Sequence, residues 1–256
     1  MLANERSFDR LFCDVLKKQY FRIYYNQEFA DDPVFNHFVL DDRLSSVADP
    51  ESTFEQLLSD FLLTADELRI TASIFVDKYL SWTDIFERIA IDHGFRIGGR
   101  MNLLSKPVGR LSESAIHHAH VDITRDVYLW NRTFMRSYDI PDSWSSELLT
   151  RENNFLDDPR TVLLLAEDLE THAKGAGCIL LHAEPTDWMG VYCVGTVRES
   201  RRKGIANEMM HASESIALSR GCKNITLQTL ESDGVTPMYQ KLGYQIQFQR
   251  DILQAV

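Results

Sequence analysis

The stretch Val191-Tyr192-Cys193-Val194-Gly195-Thr196-Val197-Arg198-Glu199-Ser200-Arg201-Arg202-Lys203-Gly204-Ile205-Ala206 decides how this chain is read. Val191 to Val197 is composed as a strand. The residues after Ala206 continue as a helix, with Ile205, Met209, Ala212 and Ile216 striping one side and Gly221 marking its end. A strand that feeds a helix through a basic, glycine-bearing turn is an anion site. The first backbone N–H groups of the helix have no intrahelical partner, and the helix dipole favours negative charge there by about 0.3 to 1 kcal/mol. Gly204 lets a phosphate approach the backbone closely. Arg201, Arg202 and Lys203 offer charge-assisted hydrogen bonds to a diphosphate and one further phosphate.

Working outward, Ile225 and Leu227 alternate with Thr226 and Gln228 as a strand, and a short helix closes at Leu242-Gly243-Tyr244. Upstream, strands are expected near Ile116 to Ile123, at Thr161 to Glu167, at Gly177 to Ala183 and at Trp188 to Val197. A helix is expected from about Thr124 to Arg136, and a turn at Glu184-Pro185-Thr186-Asp187. In the N-terminal half, Phe54, Leu57, Leu58, Phe61 and Leu62 fall on one helical face, with Thr53 and Gln56 placed to cap its start. Ile70 to Val76 reads as a strand. Trp82, Ile85, Phe86, Ile89 and Ala90 stripe a second helix that Gly94 would stop in a left-handed conformation. The polar run Ser105 to Ser114, with Pro107 and Gly109, reads as a connector, so two domains are expected, 1–112 and 113–256. The order of elements predicts a mixed α/β layer architecture.

The order Arg201-x-x-Gly204-x-Ala206 after a strand resembles the central motif of the GNAT acetyltransferase superfamily, and Gly195-Thr196-Val197-Arg198 resembles the strand and bulge before it, with Arg198 where a proline is common. The second family motif is matched by the strand through Leu227, Tyr239 and Gly243-Tyr244, with Ser232 where an Asn usually holds the pantetheine arm. The resemblance covers roughly residues 113 to 256. It implies a mixed, mostly antiparallel sheet flanked by helices, with a smaller N-terminal α/β domain that is either a degenerate GNAT-like unit or an unrelated accessory one. It also implies acetyl-coenzyme A as acyl donor, held by Val194, Gly195, Thr196, Arg201, Arg202, Lys203, Gly204, Ile205, Ala206 and Ser232. By the same resemblance, the backbone groups of Val194 and Thr196 are left unpaired to receive the pantetheine amides, and Tyr239 protonates the departing thiolate.

Several classes are disfavoured. With 44% hydrophobic and 25% charged residues the chain has an ordinary globular composition, and a formal net charge of -11 argues against a nucleic-acid footprint. No apolar run is long enough to span a bilayer and no signal peptide is visible, so a cytoplasmic protein without membrane association is expected. The four cysteines, Cys13, Cys178, Cys193 and Cys222, have neither disulfide nor zinc-site spacing. His118 and His120 would share a strand face next to His117, but no further ligand is spaced nearby, so no metal is expected. His182, Glu184, Asp187 and Tyr192 remain open as general bases, beside a water chain. The expected activity is acetyl transfer to a primary amine, of a small molecule first and of a protein terminus or lysine as a close variant, by a chain that could form a homodimer. The alternative is a module that binds acyl-coenzyme A without turnover, as a sensor or scaffold.

Overall fold

The computed structural model describes residues 1–109, 119–182 and 186–255. In chain order the elements are α1 (Leu2–Phe12), β1 (Asp14–Lys17), β2 (Phe21–Tyr25), β3 (His37–Leu40), α2 (Pro50–Leu68), β4 (Ser73–Asp77), α3 (Thr83–Asp92), β5 (Phe95–Pro107), β6 (Ala119–Thr124), α4 (Val127–Tyr138), α5 (Ser145–Asn153), β7 (Thr161–Asp168), β8 (Lys174–Leu181), β9 (Trp188–Thr196), α6 (Ile205–Ser219), β10 (Asn224–Leu230), α7 (Thr236–Lys241) and β11 (Gln245–Ala255). This is the mixed α/β class expected, with mostly antiparallel strand pairs and flanking helices.

The chain divides into two compact units. One is Met1–Leu11 with Ser105–Leu227, and the other is Phe12–Leu104 with Gln228–Val256. The expected boundary at 112/113 lies outside the described residues. What the sequence reading did not foresee is that the C-terminal segment belongs with the N-terminal half. The reason is pairing: β11 runs antiparallel to β4, with Ile252 opposite Phe75 and Leu253 opposite Ile74, and Leu253 is buried in the core of that unit.

In the second unit the strand order is β1-β2-β3-β4-β11-β5, and only β3 and β4 pair in parallel among the registers described. Its core gathers Phe21, Phe38, Phe54, Phe61, Ile74, Val76 and Phe86. The stripes Phe54, Leu57, Leu58, Phe61 and Trp82, Phe86, Ile89, Ala90 are buried as expected, but Leu62 and Ile85 are exposed at the edge of each stripe. Helix α2 starts a turn earlier than expected. Asp49 caps it by accepting from the Ser52 N–H, and Pro50 fills the first position, where its missing N–H costs nothing. Thr53 instead donates to the Asp49 carbonyl. Gly94 adopts φ +86°, the left-handed stop anticipated for α3.

In the first unit β6, β7, β8 and β9 pair antiparallel in that order and β10 joins β9 in parallel. Helices α4 and α6 both pack on β8 and β9. They lie on opposite faces. A Cβ on Gly177 would meet Trp130 of α4, whereas the next residue, Cys178, turns its sulfur toward Ser213 of α6. On α6, Ile205 and Met209 are buried as the stripe predicted. Ala212 and Ile216 are only half-buried, because the helix seats itself through Met210, Ser213 and Ala217.

Candidate functional site: a bulged strand and the turn that follows it

The site is built where β9 runs into α6. Ile179 stands opposite Tyr192 and Gly177 opposite Gly195, so Cys178 of β8 faces two residues of β9, Cys193 and Val194. That is a β-bulge, and Cys193 adopts φ +55° to make it. A side chain held in the left-handed region costs about 1 to 3 kcal/mol, so the surrounding contacts must enforce it. They do so from α4. The Trp130 indole N–H donates to the Cys178 carbonyl at 3.2 Å, satisfying a group that the bulge takes out of the ladder. Gly195 lies so close to the last turn of α4 that a Cβ there would sit 2.5 Å from the Ser137 Cβ and 2.7 Å from a ring carbon of Tyr138. On its other side, β9 pairs with β10 from Trp188 to Val191, opposite Asn224 to Leu227.

Val194 and Thr196 were expected to carry unpaired backbone groups, and the structure corrects this for both carbonyls. The Tyr138 hydroxyl donates to the Val194 carbonyl at 3.0 Å, and Arg201 Nε donates to the Thr196 carbonyl at 3.0 Å.

The turn itself has the conformation the sequence requires. Gly204 is the residue before α6 and has φ +83°, and no side chain caps the helix. The Gly204 carbonyl accepts from the Asn207 and Glu208 N–H groups. The start of α6, at Ile205 and Ala206, is therefore left for an external acceptor, and Gly204 offers the left-handed conformation at no steric cost. Arg202 also has a positive φ, +63°. Asp168, Glu170, Arg202, Lys203 and Gly204 line a depression beside this turn.

The three basic residues are employed differently than the sequence suggested. Arg201 braces the turn, since its second guanidinium nitrogen donates to the Ser137 carbonyl at 2.9 Å. Lys203 is paired with Asp168 at 3.1 Å and Glu170 at 2.8 Å. Arg202 is exposed and, among the described residues, makes no hydrogen bond or ion pair. Asp168 is buried. Although burial by itself would raise its carboxyl, the Glu170 N–H, the Lys203 ammonium, the Ser200 hydroxyl and the Thr171 N–H together hold it down at about 2.

The candidate bases are not gathered at the bulge. His182 holds the Thr186 carbonyl, and Asp187 pairs with Lys223. Both precede β9, so Asp187 is six strand residues, about 20 Å, from Cys193. Tyr192 is buried with its ring stacked on Phe8 at 4.0 Å, an aromatic packing role. Glu184, His117 and His118 lie outside the described residues, and His120 pairs with Asp122. Sequence reading missed Glu152 of α5. It is fully buried, and burial pushes its carboxyl up to about 8, with the neighbouring Asn131 amide opposing. Burial first, then Glu152 and Cys178, raise the Cys193 thiol well above its usual range, and burial pushes Cys178 up to about 12. Both thiols stay protonated at neutral pH.

Tyr239, buried in α7 and edge-on to Tyr244, and the exposed Ser232, in the short turn after β10, belong to the second unit, whereas Val194 to Ala206 belong to the first.

Among the described residues there is no group of His, Cys, Asp or Glu side chains able to hold a metal ion, and no helix is long and apolar enough to cross a membrane. The profile of the acetyltransferase (GNAT) family matches residues 125–244. An acetyltransferase of Sodalis glossinidius is 27% identical over 129 residues, covering 50% of this chain and 84% of that protein. A GCN5-related N-acetyltransferase from Kribbella flavida has the same fold at 15% identity, with a TM-score of 0.68 over 99% of this chain and 94% of its own. A tandem GNAT protein from the clavulanic acid biosynthesis pathway superposes at a TM-score of 0.66 and 9% identity, over 92% of this chain and 78% of its own. The matched stretch contains the bulged strand and the uncapped glycine turn, and residues 125–244 are an acetyltransferase (GNAT) domain.

Proposed function

We propose that the protein is an N-acetyltransferase that moves the acetyl group of acetyl-coenzyme A to a primary amine of a small molecule. The observation that carries this reading is the left-handed Gly204 in front of an uncapped α6, directly after the bulged strand. A phosphate-bearing donor fits that cradle. The Ile205 and Ala206 N–H groups and the Arg202 guanidinium would receive its diphosphate. Backbone N–H groups near the bulge, around Val194, Gly195 and Thr196, would face the thioester arm. Ser232 stands in the sequence where the family holds that arm.

Acetyl-coenzyme A supplies an activated carbonyl. The amine nitrogen forms a bond to that carbon and becomes positively charged, it gives a proton to water, the carbon–sulfur bond breaks to leave the amide, and the thiolate takes up a proton. Tyr239 is the proposed donor to the thiolate on the strength of its place in the motif, its phenolic O–H being a group able to give up a proton. Direct attack is favoured over an acyl-cysteine route because Cys178 and Cys193 are both held as thiols rather than thiolates.

The test is release of free thiol from acetyl-coenzyme A with a panel of amino sugars, polyamines and aminoglycosides, for the parent and for Tyr239→Phe. Turnover by the parent, with a rate lowered by about 10²-fold or more in a variant that still binds the cofactor, is expected for loss of a general acid. A fully active Tyr239→Phe would remove the tyrosine from the mechanism. Cofactor binding without turnover of any amine would assign the chain to the non-catalytic sensor or scaffold class instead.

A further inference from the structure

The hairpin end of β7 and β8 is built into the turn that precedes α6. Asp168, the last residue of β7, is 1% exposed, yet it accepts four hydrogen bonds: from Ser200 Oγ at 3.0 Å, Lys203 Nζ at 3.1 Å, the Glu170 N–H at 2.9 Å and the Thr171 N–H at 3.3 Å. Two of those donors belong to its own hairpin and two to the turn, so this one carboxylate ties the two segments together. The contact is close along its whole length. The Val197 N–H donates to the Gly175 carbonyl at 2.8 Å, and a Cβ on Gly175 would lie 3.0 Å from Ser200 Oγ and 3.3 Å from the Ile205 side chain. Glu170, two residues on, is largely exposed and reaches the same ammonium, Lys203 Nζ, at 2.8 Å.

The two carboxylates therefore stand in different relations to Lys203. The bond to Asp168 is buried at its acidic end and shared with Ser200 and two backbone groups, so it is fixed by the fold. The bond to Glu170 is a solvent-exposed ion pair at the mouth of the depression, the kind worth little and easily exchanged. An incoming diphosphate carries more charge than a carboxylate and seeks the same ammonium.

We propose that Asp168 and Glu170 form a two-part clamp on Lys203: Asp168 sets the phosphate-binding turn in place, and Glu170 holds the ammonium in the absence of cofactor and yields it to the phosphates on binding. Asp168 is thus a positioning residue and Glu170 an antagonist of donor binding. The proposal rests on the acetyl-coenzyme A reading above, and it predicts opposite effects for two neighbouring carboxylates.

The experiment compares parent, Asp168→Asn and Glu170→Gln by calorimetric titration with coenzyme A, and by ligand-observed NMR with S-acetylpantetheine, which has the thioester arm but no phosphate. Glu170→Gln is expected to bind coenzyme A about threefold more tightly, the scale of an exposed ion pair. Asp168→Asn is expected to bind it about tenfold or more weakly, the scale of a lost charge-assisted bond. Neither variant should change the S-acetylpantetheine titration. Unchanged or weaker coenzyme A binding by Glu170→Gln, a surface change with no folding consequence, would overturn the clamp. So would an Asp168→Asn variant that loses both ligands alike, since that is the mark of general structural damage. A folded parent that binds no coenzyme A would overturn the acyl-donor reading and the clamp together, which distinguishes it from a parent that binds while the variants behave as it does.

Discussion

Replacing Glu152 by Gln should make the protein more stable, and by an amount that grows with pH. The side chain is fully buried on α5 beside Asn131 of α4, and its carboxyl is lifted from 4.5 to about 8, chiefly by burial, with the Asn131 amide opposing. The folded state therefore holds its proton more tightly than the unfolded chain. Below about pH 4.5 both states are protonated and Glu152 costs nothing through this linkage. As pH rises toward 8 the unfolded chain ionises while the folded one does not, and stability is lost throughout that window. At about 1.4 kcal/mol per pH unit, the loss is about 3 kcal/mol at pH 7 and approaches 5 kcal/mol at pH 8, both upper figures because a real interior relaxes around a charge. Gln fills nearly the same volume and does not titrate. Urea denaturation of both proteins at pH 5, 7 and 8 reads the effect as a difference, so every other titrating group cancels. The gap should be smallest at pH 5, under about 1 kcal/mol, and widen progressively, with the variant higher. A constant gap across the three pH values, or a variant that is less stable at pH 8, would mean that Glu152 is paired or hydrated and would refute this reasoning.

Three further outcomes follow from contacts around the bulge. Trp130→Phe leaves the buried Cys178 carbonyl without its donor and should cost about 1 to 3 kcal/mol in a denaturation curve. Gly195→Val places a branched side chain where even a Cβ would meet Ser137 at 2.5 Å; it should lower the melting temperature and abolish coenzyme A binding by moving α4 or the strand. Asp168 is held at about 2, so its contribution is full above the ordinary carboxyl value of 3.8 and disappears as pH falls through about 2. Asp168→Asn should flatten the acid limb of the stability profile in that window, as followed by far-ultraviolet circular dichroism.

The turn after β9 was legible because its signal is local. A glycine with basic neighbours between a strand and a striped helix marked an open helix start, and the structure adds that Gly204 is left-handed there. The long stripes of α2 and α3 were legible for the same reason, apart from Leu62 and Ile85 at the margins of faces narrower than the pattern allowed. The strands at Asp14–Lys17, Phe21–Tyr25 and His37–Leu40 are four or five residues each, too short to display a period. Helix α5 buries only Leu148 and Glu152, so it has no apolar stripe to read, and that hid the buried glutamate as well. The grouping of the C-terminal segment with the N-terminal half was not legible because β11 pairs with β4, whose residues lie more than 170 positions earlier, and nothing local marks such a pairing. The basic triplet was legible as basic, but the separate partners of its members were not. Arg201 and Lys203 are bound by Ser137, Thr196, Asp168 and Glu170, partners that become neighbours only on folding.

The central claim, that the turn at Gly204 receives the phosphates of acetyl-coenzyme A, is tested most directly by calorimetric titration of the parent and of Gly204→Glu with that ligand. The variant places a carboxylate where phosphate would sit and forces a side chain into φ +83°, so its fold is checked alongside by circular dichroism. The account predicts one site per chain in the parent, with micromolar affinity, and no detectable binding by a folded variant. A folded parent that releases no heat and shows no binding by a second method, or a variant that binds as the parent does, would contradict it.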